Sequence, residues 1–199
     1  MTLECRTASI NRVTRETDIR LTLNLDGGGN ALVATGVGFF DHMLTHIGHH
    51  GLFDLSVECT GDTMVDFHHT VEDVGIVLGQ AFAKAVGDKR GIERFGTSFV
   101  PMDESLVQVS LDLSGRAHLE WAMELPKAKV GDFDVELAQE FFRAFAGNCG
   151  ATVHVRCLAG TNLHHMLEAA FKALGRALRD AVAPNPRVAG VPSTKGSLA

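Results

Sequence analysis

The sequence has no apolar run approaching the roughly 18 residues that a membrane-spanning helix needs. Its opening segment, MTLECRTASINRVT, also lacks the apolar core of a secretion signal. From these two absences we expect a protein that does not interact with membranes and is located in the cytoplasm.

An excess of positive charge is also missing. Lys and Arg number 18 against 24 Asp and Glu, which gives a formal net charge of −6, and the basic residues are scattered along the chain. Proteins that bind nucleic acid usually concentrate Lys and Arg on one surface. We therefore expect no nucleic-acid partner and a small-molecule substrate instead.

Cysteines are few and none has CxxC spacing. Cys5, Cys59, Cys149 and Cys157 lie in apolar stretches of the sequence. This arrangement favours reduced core thiols over a disulfide framework or a zinc site.

One motif stands out among the residues that are present: His-His-x-x-Glu occurs twice. HHTVE spans 68–72 and HHMLE spans 164–168, 96 positions apart. On a helix, the glutamate lies one turn from either histidine and can share an ion with it, whereas adjacent side chains diverge by about 100°. The doubled motif therefore predicts two metal ions, with each histidine pair divided between them.

Mixed imidazole and carboxylate ligands indicate which metal to expect. They suit a six-coordinate ion such as manganese or iron, whereas zinc more often recruits thiolates or stops at four ligands. Manganese is our first choice. A single His-His pair is common as an exposed or structural feature, so it is the repetition that favours metal binding.

The similarity between the two halves of the chain extends beyond the motifs. The 96-residue offset pairs Gly79 with Gly175 inside two amphipathic segments. Alternating segments at 19–25 and 107–113 predict half-buried strands, and their alignment places Glu16 opposite Glu104. Further helices are predicted around 39–49 and 135–145, and further strands at 52–59 and 151–157.

We predict an α+β fold of two duplicated halves, 1–92 and 93–184, each a mostly antiparallel sheet with helices packed on one face. Each half reads strand, strand, helix, strand, helix. The glycine- and proline-rich tail predicts an irregular C-terminal arm over 185–199. Its Ser193-Thr194-Lys195 run has donors that suit an anion, although such tails are usually frayed.

Seven segments, in order and spread over nearly the whole chain, carry a resemblance to a known family. They are RETDI (15–19), FFDHMLTHIGHHGLFDL (39–55), GDTMVDFHHTVEDVGIVLG (61–79), PMDES (101–105), DLSGRA (112–117), GTNLHHMLEAAFKALGRALR (160–179) and PSTKG (192–196). The chain resembles the imidazoleglycerol-phosphate dehydratases of histidine biosynthesis. The resemblance implies a carbon–oxygen lyase that converts imidazole glycerol phosphate to imidazole acetol phosphate through a metal-bound imidazolate and a diazafulvene-type intermediate.

The same resemblance implies two manganese ions per active site and a homo-oligomer of 24 subunits. One ion takes His42, His69 and Glu72, with His164 from a neighbouring subunit, and the other takes His68, His165 and Glu168. Glu140 is the counterpart of His42 in the second half, where many relatives have histidine. Ligation by Glu140 and a solvated helix position both remain open.

The resemblance also assigns roles around the substrate. Glu16 is the general acid/base at the reacting carbons. The phosphate is expected to bind the cations and hydroxyls of Arg94, Arg116, Lys172, Ser193, Thr194 and Lys195, with His46 as a further donor.

Other polar residues have less definite expectations. For His49 and His50, helix capping and substrate contact remain equally open, whereas His118 and His154 are expected to be structural. Asp73, Asp103 and Glu104 are expected to orient ligands or join subunits.

Two other classes of function compete with a lyase. A metal-stapled assembly would need closed coordination shells and no phosphate cradle. A two-metal hydrolase would normally show more aspartate ligands and a bridging carboxylate. The outlying Arg94 and Arg116, the PSTKG segment and Glu16 favour the lyase.

Overall fold

The computed structural model describes residues 6–198, which form ten strands and four helices. In chain order these are β1 (Thr7–Val13), β2 (Thr17–Asn24), β3 (Ala31–Ala34), α1 (Gly38–Gly51), β4 (Asp54–Gly61), α2 (His68–Val86), β5 (Phe95–Met102), β6 (Ser105–Asp112), β7 (His118–Ala122), β8 (Lys129–Val130), β9 (Phe133–Asp134), α3 (Leu137–Cys149), β10 (Thr152–Ala159) and α4 (Leu163–Val182). The predicted α+β class is confirmed.

Each half contains one four-stranded sheet, and the two sheets have the same strand order. The first runs β1-β2-β4-β3 and the second β5-β6-β10-β7. In both sheets the first three strands are antiparallel, and the last strand, β3 or β7, runs parallel to its neighbour. The prediction of two similar, mostly antiparallel halves is thus confirmed.

The sequence pattern missed β3 and β7. Both are short edge strands, and neither contains a fully buried residue. An edge strand without a buried face has little apolar alternation, so its periodic signal is weak. Each half is therefore strand, strand, strand, helix, strand, helix.

The helices cover one face of each sheet, and the two helix layers pack against each other. Ile19, Leu21 and Leu23 on β2 point inward and are almost completely buried, as the alternation predicted. Across the middle of the molecule, α1 packs against α4 and α2 against α3. The core therefore includes the inward faces of both sheets and the contacts between helices that belong to different halves.

Two glycines related by the duplication allow these helix pairs to approach closely. A Cβ atom on Gly79 of α2 would lie 2.6 Å from the carbonyl oxygen of Phe145 on α3. A Cβ atom on Gly175 of α4 would lie 2.7 Å from the carbonyl oxygen of Ile47 on α1. Any larger residue would push the helices apart, so Gly79 fixes how α2 lies beside α3 and Gly175 fixes how α1 lies beside α4.

From residue 185 to residue 198 the chain follows an irregular path without a regular helix or strand. Asn185 Nδ2 donates to Glu93 Oε1 at 2.9 Å, and Arg94 Nη1 donates to the carbonyl oxygen of Pro192 at 2.8 Å. These contacts hold the arm against the segment that leads into β5.

Three of the four cysteines are free thiols, and Cys5 lies outside the described residues. Cys149 is buried in α3, and burial raises the pKa of its thiol to about 12. None of the helices between residues 6 and 198 is long and apolar enough to span a bilayer.

Candidate metal centre and active site

Both His-His-x-x-Glu motifs lie on helices, and each is at the start of its helix. His68 is the first residue of α2. In α4 the Asn162 side chain caps the helix by accepting hydrogen bonds from the backbone N–H groups of His164 and His165. The motif side chains therefore project from the first turns of α2 and α4.

The motif of α4 meets α1 in one compact group of donors. Glu168 Oε2 lies 2.9 Å from His164 Nε2 and 3.1 Å from His42 Nε2. Donors about 2.1 Å from one ion lie about 3 Å apart when they subtend a right angle at it. Within residues 6–198, these three side chains form the only group of three or more His, Cys, Asp or Glu residues spaced to hold an ion.

The Glu168 carboxylate remains ionised although it is buried. Burial disfavours its charge, but the hydrogen bond from Lys172 and the adjacent His46, His164 and His42 outweigh that cost and lower its pKa to about 2. Lys172 Nζ lies 2.6 Å from Glu168 Oε1. The group thus presents a fixed negative charge to a cation.

His46 lies beside this group. Its Nε2 atom lies 3.2 Å from Glu168 Oε1 and 3.2 Å from His42 Nε2. Burial, its largest influence, lowers the pKa of His46 to about 4, so the ring is neutral near pH 7. The structure places His46 beside the candidate metal ligands, and its expected contact with the phosphate stays a prediction.

The contacts within this chain bring together residues that the resemblance assigns to different ions, and the grouping of ligands that it implied stays a prediction. That grouping assigned Glu168 to a different ion from His42 and took His164 from a neighbouring subunit. In the structure, Glu168 contacts both histidines within a single chain, because α1 packs against α4 of the same chain. A sequence resemblance identifies ligands but does not show which helices pack together.

The second histidine of the first motif has its own carboxylate partners. Asp62, the first residue of the β4–α2 loop, contacts His69 Nδ1 at 3.0 Å, and this hydrogen bond is the largest cause of the raised pKa of His69. The other ring nitrogen, Nε2, lies 3.7 Å from Glu16 Oε1. Asp62 therefore orients the ring so that Nε2 faces Glu16 and remains available to a metal ion.

His165 is oriented in the same way in the second half. Glu104 Oε2 contacts its Nδ1 at 2.8 Å and raises the pKa of the histidine, while Asp103 lies 3.8 Å from its Nε2. A carboxylate at Nδ1 is the usual support for a histidine that ligates through Nε2. The expectation that Asp103 and Glu104 orient ligands remains a prediction, and this geometry supports it.

Between residues 6 and 198, the remaining candidate ligands do not form a second group. His68 Nε2 lies 3.5 Å from Glu72, and both side chains are nearly half exposed. Glu140 lies 2.5 Å from Arg143 and is outside the three-residue group described above. Exposed ligands of this kind are free to meet residues of another chain.

The expected phosphate-binding residues fall into two sets. Arg94 pairs with Asp112 at 2.6 Å and holds the arm through Pro192, and Arg116 lies 3.9 Å from the same aspartate. Ser193, Thr194 and Lys195 follow directly on the arm. Lys172 instead lies beside Met102, at the opposite end of β5 from Arg94. Eight strand residues span roughly 25 Å, too far for one phosphate to touch both ends.

A cleft of about 530 Å³ opens beside His42 and His164. Phe39 and Phe133 form part of its walls, with ring centroids 5.3 Å apart, and the β8–β9 hairpin closes one side. Sequence reasoning did not find this cleft, because strands of two residues carry no periodic signal. It also gave no role to Asp62, which lies in the recognised GDTMVDF segment but at a spacing that suggests no chemistry.

The four remaining histidines lie in two places, at the end of α1 and on the neighbouring strands β7 and β10. His50 is half-buried and stacks on His46 with ring centroids 5.5 Å apart, whereas His49 is exposed. His118 and His154 lie together on β7 and β10, with ring centroids 6.1 Å apart. The last two are outside the ligand group, as expected for structural residues.

Comparisons with known proteins show which family the chain belongs to. A family model described as imidazoleglycerol-phosphate dehydratase matches residues 35–178. The imidazoleglycerol-phosphate dehydratases of Pelobacter propionicus and Desulforamulus reducens are each 61% identical over 193 residues, which cover 97% of this chain and 99% and 98% of theirs.

Solved structures show the same similarity. A crystal structure of imidazoleglycerol-phosphate dehydratase from Staphylococcus aureus has a TM-score of 0.81 at 40% identity, covering 90% of this chain and 99% of its own. The Pyrococcus furiosus IGPD in complex with (S)-C348 has a TM-score of 0.83 at 38% identity, covering 95% and 100%. The chain belongs to the imidazoleglycerol-phosphate dehydratase family, a family of hydro-lyases in histidine biosynthesis.

Proposed function

We propose that this chain dehydrates imidazole glycerol phosphate to imidazole acetol phosphate in the cytoplasm, with two manganese ions in each active site. Membership of the family supports the substrate and the reaction class. The observation that carries the metal-dependent part is the carboxylate of Glu168, which is shared between His42 and His164 at 2.9–3.1 Å.

The donors of this group fit manganese. They combine imidazole nitrogens with one ionised carboxylate, and no thiolate is nearby among the described ligands. Bound manganese supplies Lewis acidity, which draws electron density from the imidazole ring of the substrate. Asp62 and Glu104 hold the rings of His69 and His165 with Nε2 exposed, ready to complete coordination.

The separation of the candidate residues supports an active site shared between subunits. Lys172 and Arg94 lie at opposite ends of β5, and His68 and Glu72 meet no third donor within residues 6–198. Both sets are completed if residues of a second copy face them. We therefore propose that the enzyme works as a homo-oligomer, with 24 subunits in the presence of metal.

Glu16 is the proposed proton carrier. The reaction removes a hydroxyl from the carbon attached to imidazole and a proton from the next carbon, which together leave as water. Glu16 takes the C–H proton, the electron pair of that bond forms the carbon–carbon double bond of an enol, and a proton returned to carbon gives the ketone. The carboxylate is 52% exposed and 3.7 Å from His69, so it can reach a bound substrate.

Turnover measurements on metal-stripped protein test this proposal. We expect no product from imidazole glycerol phosphate in chelator and recovery when manganese is added back. Glu16→Gln is expected to retain manganese while kcat falls at least about 100-fold. Full activity without metal would overturn the metal-dependent mechanism, and full activity of Glu16→Gln would overturn the role of Glu16. If the protein assembles when metal is added but forms no product, the result would instead support an assembly in which the metal ions only join subunits.

A further inference from the structure

Glu16 and Glu104 occupy equivalent places in the two halves. Glu16 lies in the turn between β1 and β2, and Glu104 lies in the turn between β5 and β6. Each turn reaches the second histidine of the adjacent motif, His69 or His165. The duplication therefore supplies two carboxylates with the same position, and their surroundings decide what each can do.

Glu104 is fully engaged in hydrogen bonds. It accepts from the backbone N–H groups of Asn162 at 2.8 Å and Thr161 at 3.1 Å, and from Ser105 Oγ at 2.9 Å. Its other oxygen meets His165 at 2.8 Å. Glu104 thus fastens its own hairpin directly to the start of α4. A carboxylate held by so many donors is a poor base, and its pKa lies well below the ordinary value, chiefly because of His165.

Glu16 has no such partners within residues 6–198. Its hairpin is fastened to α2 by a different residue, Asp73, whose side chain is only 8% exposed. Asp73 Oδ2 accepts a hydrogen bond from Thr17 Oγ1 at 2.6 Å and is paired with Arg12 of β1. Thr17 directly follows Glu16 in the chain. Asp73 therefore anchors the hairpin at the residue next to Glu16.

Thr14 completes the local framework. Its Oγ1 accepts from the backbone N–H of Glu16 at 3.1 Å and from that of Thr17 at 3.0 Å. These two hydrogen bonds hold the backbone of the turn, and the Glu16 side chain takes no part in them. The equivalent position to Asp73 in the second half, at the same 96-residue offset, is Ala169, where no anchoring carboxylate is available.

We infer that Asp73 is a positioning residue whose anchoring of the β1–β2 hairpin leaves the Glu16 carboxylate free to transfer the proton. The first half divides anchoring and chemistry between two carboxylates, whereas the second half uses Glu104 for anchoring alone. This inference rests on the proposed role of Glu16.

Asp73→Asn tests the inference, because the amide preserves volume but removes the charge that Arg12 pairs with. We expect kcat to fall about 10–100-fold, since displacing a catalytic group by about 1 Å has effects of this size. KM and the manganese dissociation constant should stay within about threefold, because neither is set by Glu16. Thr17→Val is a milder variant and should lower kcat in the same direction.

Asp26→Asn is the matched control. Asp26 pairs with Arg6 at the other end of the same two strands, away from Glu16. The control also loses an arginine–carboxylate pair, although Asp26 is more exposed (43%) than Asp73 (8%), and it should keep its kcat within about twofold. If Asp26→Asn slows turnover as much as Asp73→Asn does, the effect is general destabilisation of the hairpin and the inference is overturned.

A double-mutant cycle separates positioning from structure. If Asp73 acts through Glu16, Asp73→Asn should slow the Glu16→Gln enzyme by less than about twofold. If Asp73→Asn slows the wild-type enzyme and the Glu16→Gln enzyme equally, the inference is overturned. It is also overturned if Asp73→Asn has a normal kcat while Glu16→Gln has a low one. Normal turnover in Glu16→Gln overturns the proposed function and this inference together, so the two failures are distinguishable.

Discussion

His42 and His46, one turn apart on α1, bring their Nε2 atoms within 3.2 Å of each other. At this distance one ring can donate and the other accept, which requires the accepting Nε2 atom to carry no proton. Glu168, 3.1–3.2 Å from both rings, fixes the pair from the opposite side. The metal ligands are thus preorganised before an ion arrives.

The acid sensitivity of the metal-free protein should depend on His46. Its pKa is lowered from 6.5 to about 4 by burial, so the unfolded chain binds more protons between these pH values. The free energy of unfolding must therefore decrease as pH falls through this window. We expect His46→Gln to reduce that decrease in chelator, measured by urea unfolding between pH 7 and 4.5.

His49→Gln is the control for this measurement, because His49 is exposed on the same helix. It should follow the wild-type curve. Identical pH dependence in wild type and His46→Gln would contradict the assignment of His46 as a buried neutral ring.

Removing the charge of Glu168 should weaken metal binding. Glu168→Gln keeps the side-chain shape but loses the only carboxylate of the group formed with His42 and His164. We expect manganese affinity to fall about 10–100-fold, measured by isothermal titration calorimetry. Glu120→Gln, an exposed change on β7, should bind manganese normally. Normal affinity in Glu168→Gln would exclude this group as a metal centre.

Manganese should enlarge the particle. If ligands from two subunits meet at each ion, metal binding and assembly are thermodynamically linked. Light scattering should show small oligomers in chelator and a much larger particle after manganese is added. His165→Ala should prevent the growth, whereas His154→Ala should not. A monodisperse monomer with full metal content and full activity would place both metal sites within one chain.

The close helix contacts predict a large effect of small substitutions. Gly175→Ala would place a methyl group 2.7 Å from the carbonyl oxygen of Ile47. Overpacking of this kind should cost about 1–3 kcal/mol of unfolding free energy, measured in denaturant. Gly147→Ala on α3 has nothing within 4 Å and should instead stabilise by about 0.5–1 kcal/mol. Equal effects of the two changes would contradict the contact.

Much of the fold could be predicted from local patterns. The strands β2 and β6 alternate strictly, and α2 and α4 repeat the same motif and glycine, so their type and approximate position followed directly. Edge strands β3 and β7 were missed because a half-exposed strand lacks a buried face.

The candidate site was only partly predictable. His-His-x-x-Glu spacing shows that His164 and Glu168 share one helix face, because that relation is local. The contact between Glu168 and His42 depends on how α1 packs against α4, and no periodicity contains that information. Asp62 escaped notice for the same reason, since its contact with His69 is created by the path of a loop.

The packing of α1 against α4 joins ligands from two different repeats, which suggests how the ligand set could have arisen. His42 comes from the first repeat, whereas His164 and Glu168 come from the second. A half-length ancestor with one repeat would have assembled this ligand set only by pairing with another copy of itself, which would have given two identical sites. In one chain the two repeats need not stay identical, and here the position of His42 in the first repeat corresponds to Glu140 in the second.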